Sequence, residues 1–243
     1  IPVDSEHFSI WYALNNKSTK KVKKIYLTAS GGPLLNVAKK NYNKLSLNEI
    51  LNHPNWKMGK KITVDSSTMI NKVFEIIEAK NIFDLEYKKL SIIVHPKSYL
   101  HAIIIFNDGM IKIIAHDTTM SIPIHNTLYF NENKNLKIND LDFKKLNNLK
   151  LQPIEIKKFP VVDIIKNLPI KNSLYETALV SANDELVNLY LKRLIKYTDI
   201  TKILLKFLNK SEIKKLKKTF PKNLSQIMKV NKDVRLQLNS LYI

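Results

Sequence analysis

The sequence predicts an α+β domain with a mixed sheet at residues 1–130, a polar linker at 131–158, and a C-terminal α-helical bundle domain at 159–243. Three observations predict it. Short apolar runs of strand length alternate with helix-like stretches in the first half. From Asn131 to Lys158 the chain is rich in Asn and Lys and loses periodicity, as a surface connection does. In the last third, apolar residues recur at helical spacing and no strand-like run follows.

Taken in order, Ile1-Pro2-Val3 leads into Asp4-Ser5-Glu6 as the end of a strand, where side-chain alternation puts both carboxylates on one side. Tyr26 to Ala29 is an apolar strand, flanked by lysines, that runs into the small loop Ser30-Gly31-Gly32-Pro33. Ser46 to Glu49 has the form of a capping box opening a short helix. A longer helix starts near Ser66, capped by Asp65 or Ser66. On it Asn71, Glu75 and Glu78 fall at i, i+4 and i+7, with Lys72 one step round, and Ile70, Val73, Phe74 and Ile77 form the opposite, buried face. The free N–H groups at such a helix start suit an anion. Leu90 to Val94 reads as a buried strand, and Asn107-Asp108-Gly109 as the tight turn between His101–Phe106 and Met110–Ala115. Beyond the linker, Leu174 to Ile195 is helical, Thr198 caps another helix, and Ser211, Asn223 and Asn231 begin further short ones.

Composition excludes several classes of function. No apolar run reaches the roughly 20 residues that cross a bilayer, and the absence of cysteine removes disulfides and thiolate metal sites. The formal charge of +19 invites a nucleic-acid reading, but all except two of the 40 basic residues are lysine, and Arg193 and Arg235 are the only arginines. Bidentate recognition of bases and phosphates favours arginine, and these lysines are scattered rather than massed. We therefore expect neither nucleic acid nor membrane as a partner.

The chemistry concentrates in four segments. Asp4 and Glu6 present oxygens to a cation. The Ser30 loop offers backbone N–H groups and a hydroxyl to an oxyanion. His53-Pro54-Asn55-Trp56-Lys57-Met58-Gly59 reads as a lid, and the following helix brings a carboxylate, an amide and an ammonium to one side. Only four glycines occur, and the placing of Gly31, Gly32 and Gly59 in these segments suggests that the backbone requires them there.

In this order the segments resemble the 1-deoxy-D-xylulose 5-phosphate reductoisomerase family. Pro2 to His7 is similar to the family's Pro-Val-Asp-Ser-Glu-His, Thr28 to Pro33 to its Thr-x-Ser-Gly-Gly-Pro loop, and His53 to Gly59 to its His-Pro-Asn-Trp-x-Met-Gly lid. Asp65 to Glu75 resembles its Asp-Ser-x-Thr-x-x-Asn-Lys-x-x-Glu helix, and His95-Pro96-Lys97-Ser98 with His101 its His-Pro-x-Ser-x-x-His strand and turn. The likeness weakens after about Pro123. The family's Gly-x-Pro-Asp-Met-Arg-x-Pro survives only as His116 to Pro123, with Ser121 for the arginine, and Ala182 to Glu185 only partly matches Ala-Ala-Asn-Glu.

The resemblance implies that Asp4, Glu6 and Glu75 ligate one Mg²⁺, Mn²⁺ or Co²⁺ ion, a choice that fits hard oxygen donors. It implies a phosphorylated sugar substrate, its phosphate against Ser30, Ser66, Asn71 and Lys72, its carbon chain against Ser5 and His53, with Trp56 and Met58 closing over it. Lys72 joins the three carboxylates as catalytic. NADPH is the implied cofactor, approached by Ala29 and Gly59 and bound through a dinucleotide domain that precedes the Asp-Ser-Glu motif in the family; this chain carries no Gly-x-Gly-x-x-Gly fingerprint. A homodimer in a bacterial cytoplasm or a plastid stroma is implied as well. His95, His101, His116 and His125 read as structural or exposed, with His101 supporting the site, and Glu78 stands a turn beyond the ligands. Two other readings compete. A decayed scaffold would have lost the acidic triad, and a related oxidoreductase acting on another phosphorylated hydroxy-ketone would have changed the lid; the retained carboxylates and Trp56 and Met58 argue against both.

Overall fold

The computed structural model describes residues 1–15 and 18–240; the end of the expected C-terminal domain, 241–243, lies outside the described residues. Two compact units interleave along the chain: the first holds 1–35, 53–57 and 75–155, the second 36–52, 58–74 and 156–243. The expected stretches 1–130, 131–158 and 159–243 are continuous in sequence, whereas these units are not.

The first unit is built on a four-stranded mixed sheet of order β2-β1-β3-β4, made of β1 (Val22–Ala29), β2 (Leu90–Val94), β3 (Leu100–Phe106) and β4 (Ile111–Ala115). β1 pairs parallel with β2 and antiparallel with β3, and β3 pairs antiparallel with β4 across the Asn107–Gly109 turn, where Gly109 takes φ +86°. The mixed sheet and its hairpin follow the expectation from sequence. The N-terminal residues do not. They form a helix, α1 (Ser5–Leu14), which lies against β3 and β4, because the Asp4 carboxylate accepts the N–H groups of Glu6 and His7, both at 3.1 Å. A capping aspartate ahead of Phe8, Ile10, Ala13 and Leu14, all buried, outweighs the strand signal of three apolar residues.

The segment 131–158 is largely irregular, and its residues 131–155 belong to the first unit. Gln152 bridges to Val94, the Leu149 carbonyl meets His95 Nδ1, and Asp117 accepts from Asn139 (2.9 Å) and Lys145 (2.8 Å). Hydrogen bonds from Lys145 and Asn139 hold the Asp117 carboxyl below its usual range. A depressed folded pKa contributes stability above the ordinary aspartate value of about 3.9 and loses it as pH falls through the lower folded value. Protection of the amides at 139–145, relative to their intrinsic exchange rates, is therefore expected to fall selectively on acidification below about pH 4; protection that is flat with pH there would refute the tether.

The second unit is helical. It holds α2 (Leu47–Leu51), α3 (Lys60–Thr68), α7 (Leu174–Leu191), α8 (Tyr197–Leu208), α9 (Ser211–Lys215) and α10 (Leu224–Asn239), while α4 (Ile70–Phe83) begins in it and continues into the first unit. Two short helices, α5 (Ser121–Leu128) and α6 (Phe143–Leu146), belong to the first unit. α7 packs against α3, α8 and α10, and buries Leu174, Leu179, Ala182 and Leu186. The expected capping box forms, Ser46 with Glu49, and the structure adds a second that the sequence reading did not name, Ser173 with Glu176. Thr198 does not cap: Lys196 takes that place, and the threonine hydroxyl donates to Asn43 Oδ1 at 2.8 Å. Asn223 does cap α10, but Asn231 lies inside it, its amide donating to Ser181 Oγ at 2.8 Å. Among the described residues no helix is long and apolar enough to cross a membrane.

The helix expected to start near Ser66 instead starts at Lys60, breaks at Met69 in the left-handed conformation (φ +68°), and resumes as α4. Ser67 donates to the Val64 carbonyl (2.6 Å) and Thr68 to that of Asp65 (3.1 Å). Hydroxyls satisfied on the preceding turn belong inside a helix. Neither Asp65 nor Ser66 caps, and the anion seat expected at a helix start there is not formed. The apolar side of α4 also differs: Ile70, Val73, Ile76 and Ala79 are fully buried, whereas Phe74 and Ile77 are half-buried.

Candidate metal and substrate site

Asp4 and Glu6, at the start of α1, come together with Glu75 of α4. One oxygen from each lies within 4.8 Å of the others, with Glu75 buried and the other two half-buried. Three carboxylates so close repel unless a cation or protons intervene, and a hard oxygen-ligating divalent ion fits this donor set. The Ser5 hydroxyl donates to Glu6 Oε2 at 2.5 Å, which orients that carboxylate.

His7 was not assigned a role from sequence. It is 1% exposed and links two of the three acids, its Nε2 at 2.9 Å from the Glu75 carbonyl oxygen and its Nδ1 at 3.2 Å from Asp4 Oδ1. Its position three residues after Asp4 on α1 was the available signal. Glu78 is exposed, its Oε2 3.7 Å from His7 Nδ1, and stands outside the carboxylate group.

The Ser30 loop and the start of the lid form a second cluster of the first unit. His53 Nδ1 accepts the N–H groups of Asn55 (3.1 Å) and Trp56 (3.0 Å), so its proton sits on Nε2, which faces Ser30 Oγ at 3.1 Å. Ser30 Oγ also accepts from the Gly32 N–H at 3.0 Å. With both acceptor positions used, the Ser30 proton is left to donate, as an oxyanion requires. Asn55 anchors the lid through the Pro96 carbonyl (2.6 Å) and Ser98 Oγ (2.9 Å), and Trp56 meets His101 edge-on at 6.4 Å.

The glycines divide. Gly31 and Gly32 have φ of +85° and +66°, and a Cβ on Gly31 would come within 2.5 Å of Leu35 Cδ1. Gly59 has φ −63° and open space around it, so the backbone does not require glycine there, against the expectation. Gly31→Ala should cost on the order of 1–3 kcal/mol in thermal unfolding, whereas Gly59→Ala should be close to neutral; equal effects would contradict the loop geometry.

Ala29 ends β1, 2% exposed, with its carbonyl accepting the His95 N–H at 2.7 Å. In the second unit Ser66 and Lys72 are buried and Asn71 is half-buried, while Met58, also half-buried, and Gly59 lead into α3. Asp65, 1% exposed, is the centre of a polar network of that unit. Lys61 Nζ lies 2.7 Å from Asp65 Oδ2 and 2.8 Å from Asp184 Oδ1, Asn183 Nδ2 donates to Asp65 Oδ1 at 2.8 Å, and Arg235 pairs with Asp184 and Glu185 at 3.0 and 3.3 Å.

Comparison with known proteins matches this arrangement to a family. Residues 1–83 match the 1-deoxy-D-xylulose 5-phosphate reductoisomerase C-terminal domain, and residues 117–237 the DXP reductoisomerase C-terminal domain. The chain belongs to the 1-deoxy-D-xylulose 5-phosphate reductoisomerase family. A reductoisomerase of Pelagibacter ubique (strain HTCC1062) is 52% identical over 243 residues, which is 100% of this chain and 63% of that protein. A crystal structure of DOX-P reductoisomerase in complex with NADPH, fosmidomycin and magnesium superposes with a TM-score of 0.90 at 30% identity, covering 98% of this chain and 62% of the other. The Zymomonas mobilis reductoisomerase in complex with NADPH gives a TM-score of 0.87 at 28% identity, over 100% of this chain and 61% of that one. The chain thus spans a little under two thirds of the reductoisomerases it matches.

Proposed function

We propose that this chain carries the metal- and substrate-binding part of a reductoisomerase that converts 1-deoxy-D-xylulose 5-phosphate to 2-C-methyl-D-erythritol 4-phosphate with NADPH, a step of non-mevalonate isoprenoid biosynthesis. The observation that carries this is the convergence of Asp4, Glu6 and Glu75 within 4.8 Å in a member of that family. These three residues are proposed to hold Mg²⁺ or Mn²⁺; the related structure with magnesium and fosmidomycin supports the choice. The ion, when bound, supplies Lewis acidity at the substrate's oxygens.

The chain's own residues do the rest. Ser5 holds Glu6 in place, and His7 fixes Asp4 against the α4 backbone. Ser30, with its proton directed outward by His53 and Gly32, is proposed to donate to a phosphate oxygen. Ser66, Asn71 and Lys72 are proposed for the phosphate as well, the lysine neutralising charge. Trp56 and Met58 are proposed to exclude water over the substrate's carbon chain. NADPH is proposed as the reductant, supported by the NADPH complexes of both related structures, with Ala29 and Gly59 as the contacts from this chain. We also propose a homodimer, supported by the half-exposed Ile111 and Ile113 on the edge strand β4, in a bacterial cytoplasm or plastid stroma.

Fosmidomycin tests the reading. Its addition with Mg²⁺ should raise the chain's thermal midpoint, by roughly 3 kcal/mol of added stability at a hundredfold excess over Kd. No stabilisation with both present, in a chain that unfolds cooperatively, would refute it.

A further inference from the structure

His116 occupies the position of the first glycine in the family segment Gly-x-Pro-Asp-Met-Arg-x-Pro, so its imidazole is a feature of this chain rather than of that pattern. The ring stacks on His101, with centroids 3.7 Å apart and planes 12° from parallel. His101 itself meets the lid residue Trp56 edge-on and faces the His116 carbonyl through Nε2 at 3.3 Å. The Glu6 carboxylate is close enough to act on the His116 ring electrostatically. The imidazole is therefore stacked on the histidine that meets the lid's Trp56 and lies within the field of a metal-site acid, all within the first unit.

The tautomer follows from the partners. His116 Nδ1 lies 2.8 Å from the Asp117 carbonyl oxygen, which can only accept, so Nδ1 carries the proton of the neutral ring. Burial holds the ring's pKa below the usual histidine value, ahead of the opposing effects of Asp117 and Glu6. Nε2 is then a bare lone pair. It is buried and finds no hydrogen-bond partner among the described residues. Leaving such a buried acceptor unmatched is unfavourable, and a donor arriving at the site would remove that cost.

Nothing in the carboxylate group fills that need, since Asp4, Glu6 and Glu75 in their ionised form only accept. The three acids form the metal-competent group found among the described residues, and His116 is outside it, so the nitrogen is not placed as a direct ligand. Mg²⁺ keeps several of its waters, and a water bound through its oxygen turns both hydrogens outward as donors. We propose that His116 Nε2 accepts a hydrogen bond from a water that completes the coordination of an ion held by Asp4, Glu6 and Glu75, making His116 a positioning residue of that site. The proposal rests on the metal site of the functional reading.

The test is Mg²⁺ titration of the ¹⁵N-labelled chain, observed at the imidazole nitrogens, with calorimetry on the same sample. The His116 Nε2 signal should begin as a bare nitrogen and move towards lower frequency in step with occupancy. It should stay put in Glu75→Gln. His116→Phe, which keeps a ring to stack on His101, should weaken Mg²⁺ binding about tenfold, and His116→Gln should recover part of the loss. Mg²⁺ binding with an unmoved Nε2 signal, or with unchanged affinity in a folded His116→Phe chain, would overturn the role of His116 alone. No Mg²⁺ binding by the wild-type chain would overturn both this proposal and the metal site beneath it.

Discussion

Replacing Glu75 by glutamine is expected to weaken Mn²⁺ binding by on the order of 100-fold, and to leave the chain without the ion at least as stable as before. The loss follows from geometry. Glu75 is the buried member of the three carboxylates and the only one supplied by α4, so its charge faces the ion with the least help from solvent. Stability without the ion moves the other way because three like charges within 4.8 Å repel, and the amide removes one of them. The His7 contact is to the Glu75 backbone carbonyl and survives the change. Calorimetry for the metal and thermal unfolding for the fold separate the two effects. A large loss of stability without any ion would show that Glu75 serves the fold rather than a metal.

The second large effect belongs to the polar network of the helical unit. Lys61→Met leaves Asp65, 1% exposed, without its cation and should cost about 3 kcal/mol. For a chain of this length that lowers the thermal midpoint by on the order of 10 °C. Burial already pushes the Asp65 carboxyl above its usual range, with Lys61 and Asn183 opposing, and loss of Lys61 takes it further up. A group whose folded pKa is raised in this way favours folding when protonated, so the deficit should shrink as pH falls through that value. Adding Asp65→Asn should restore much of the stability, since an amide can still accept from Asn183. Lys61 is pulled down by its own burial, but its two carboxylate partners more than offset this and hold its pKa high. A Lys61→Met chain of unchanged stability would show that Asn183 alone suffices.

Legibility from sequence differed by the range of the interaction. The strand at Leu90–Val94, the hairpin at Asn107–Gly109 and the Ser46–Glu49 capping box follow from residues within a few positions of one another, and they stand where expected. The Asp65-Ser66-Ser67-Thr68 run misled because those residue types also serve inside helices, where hydroxyls return to the preceding turn's carbonyls. Which use is made depends on Asn183, distant in sequence and the donor to Asp65. Asp4 and Glu6 were expected to share a strand face; they reach Glu75 from a helix start instead, so the convergence was foreseen through family likeness and not through local geometry. His7 was given no role and His116 was read as structural or exposed, because a histidine's role depends on what each ring nitrogen faces, which only the folded contacts supply.

The most direct measurement of the central claim is calorimetric binding of 1-deoxy-D-xylulose 5-phosphate to this chain with and without Mn²⁺. Saturable binding that requires the ion and disappears in Glu75→Gln is the expected result. Binding of equal strength in the absence of the ion, or none by a folded chain that does bind Mn²⁺, would contradict a site in which Asp4, Glu6 and Glu75 present a metal to this substrate.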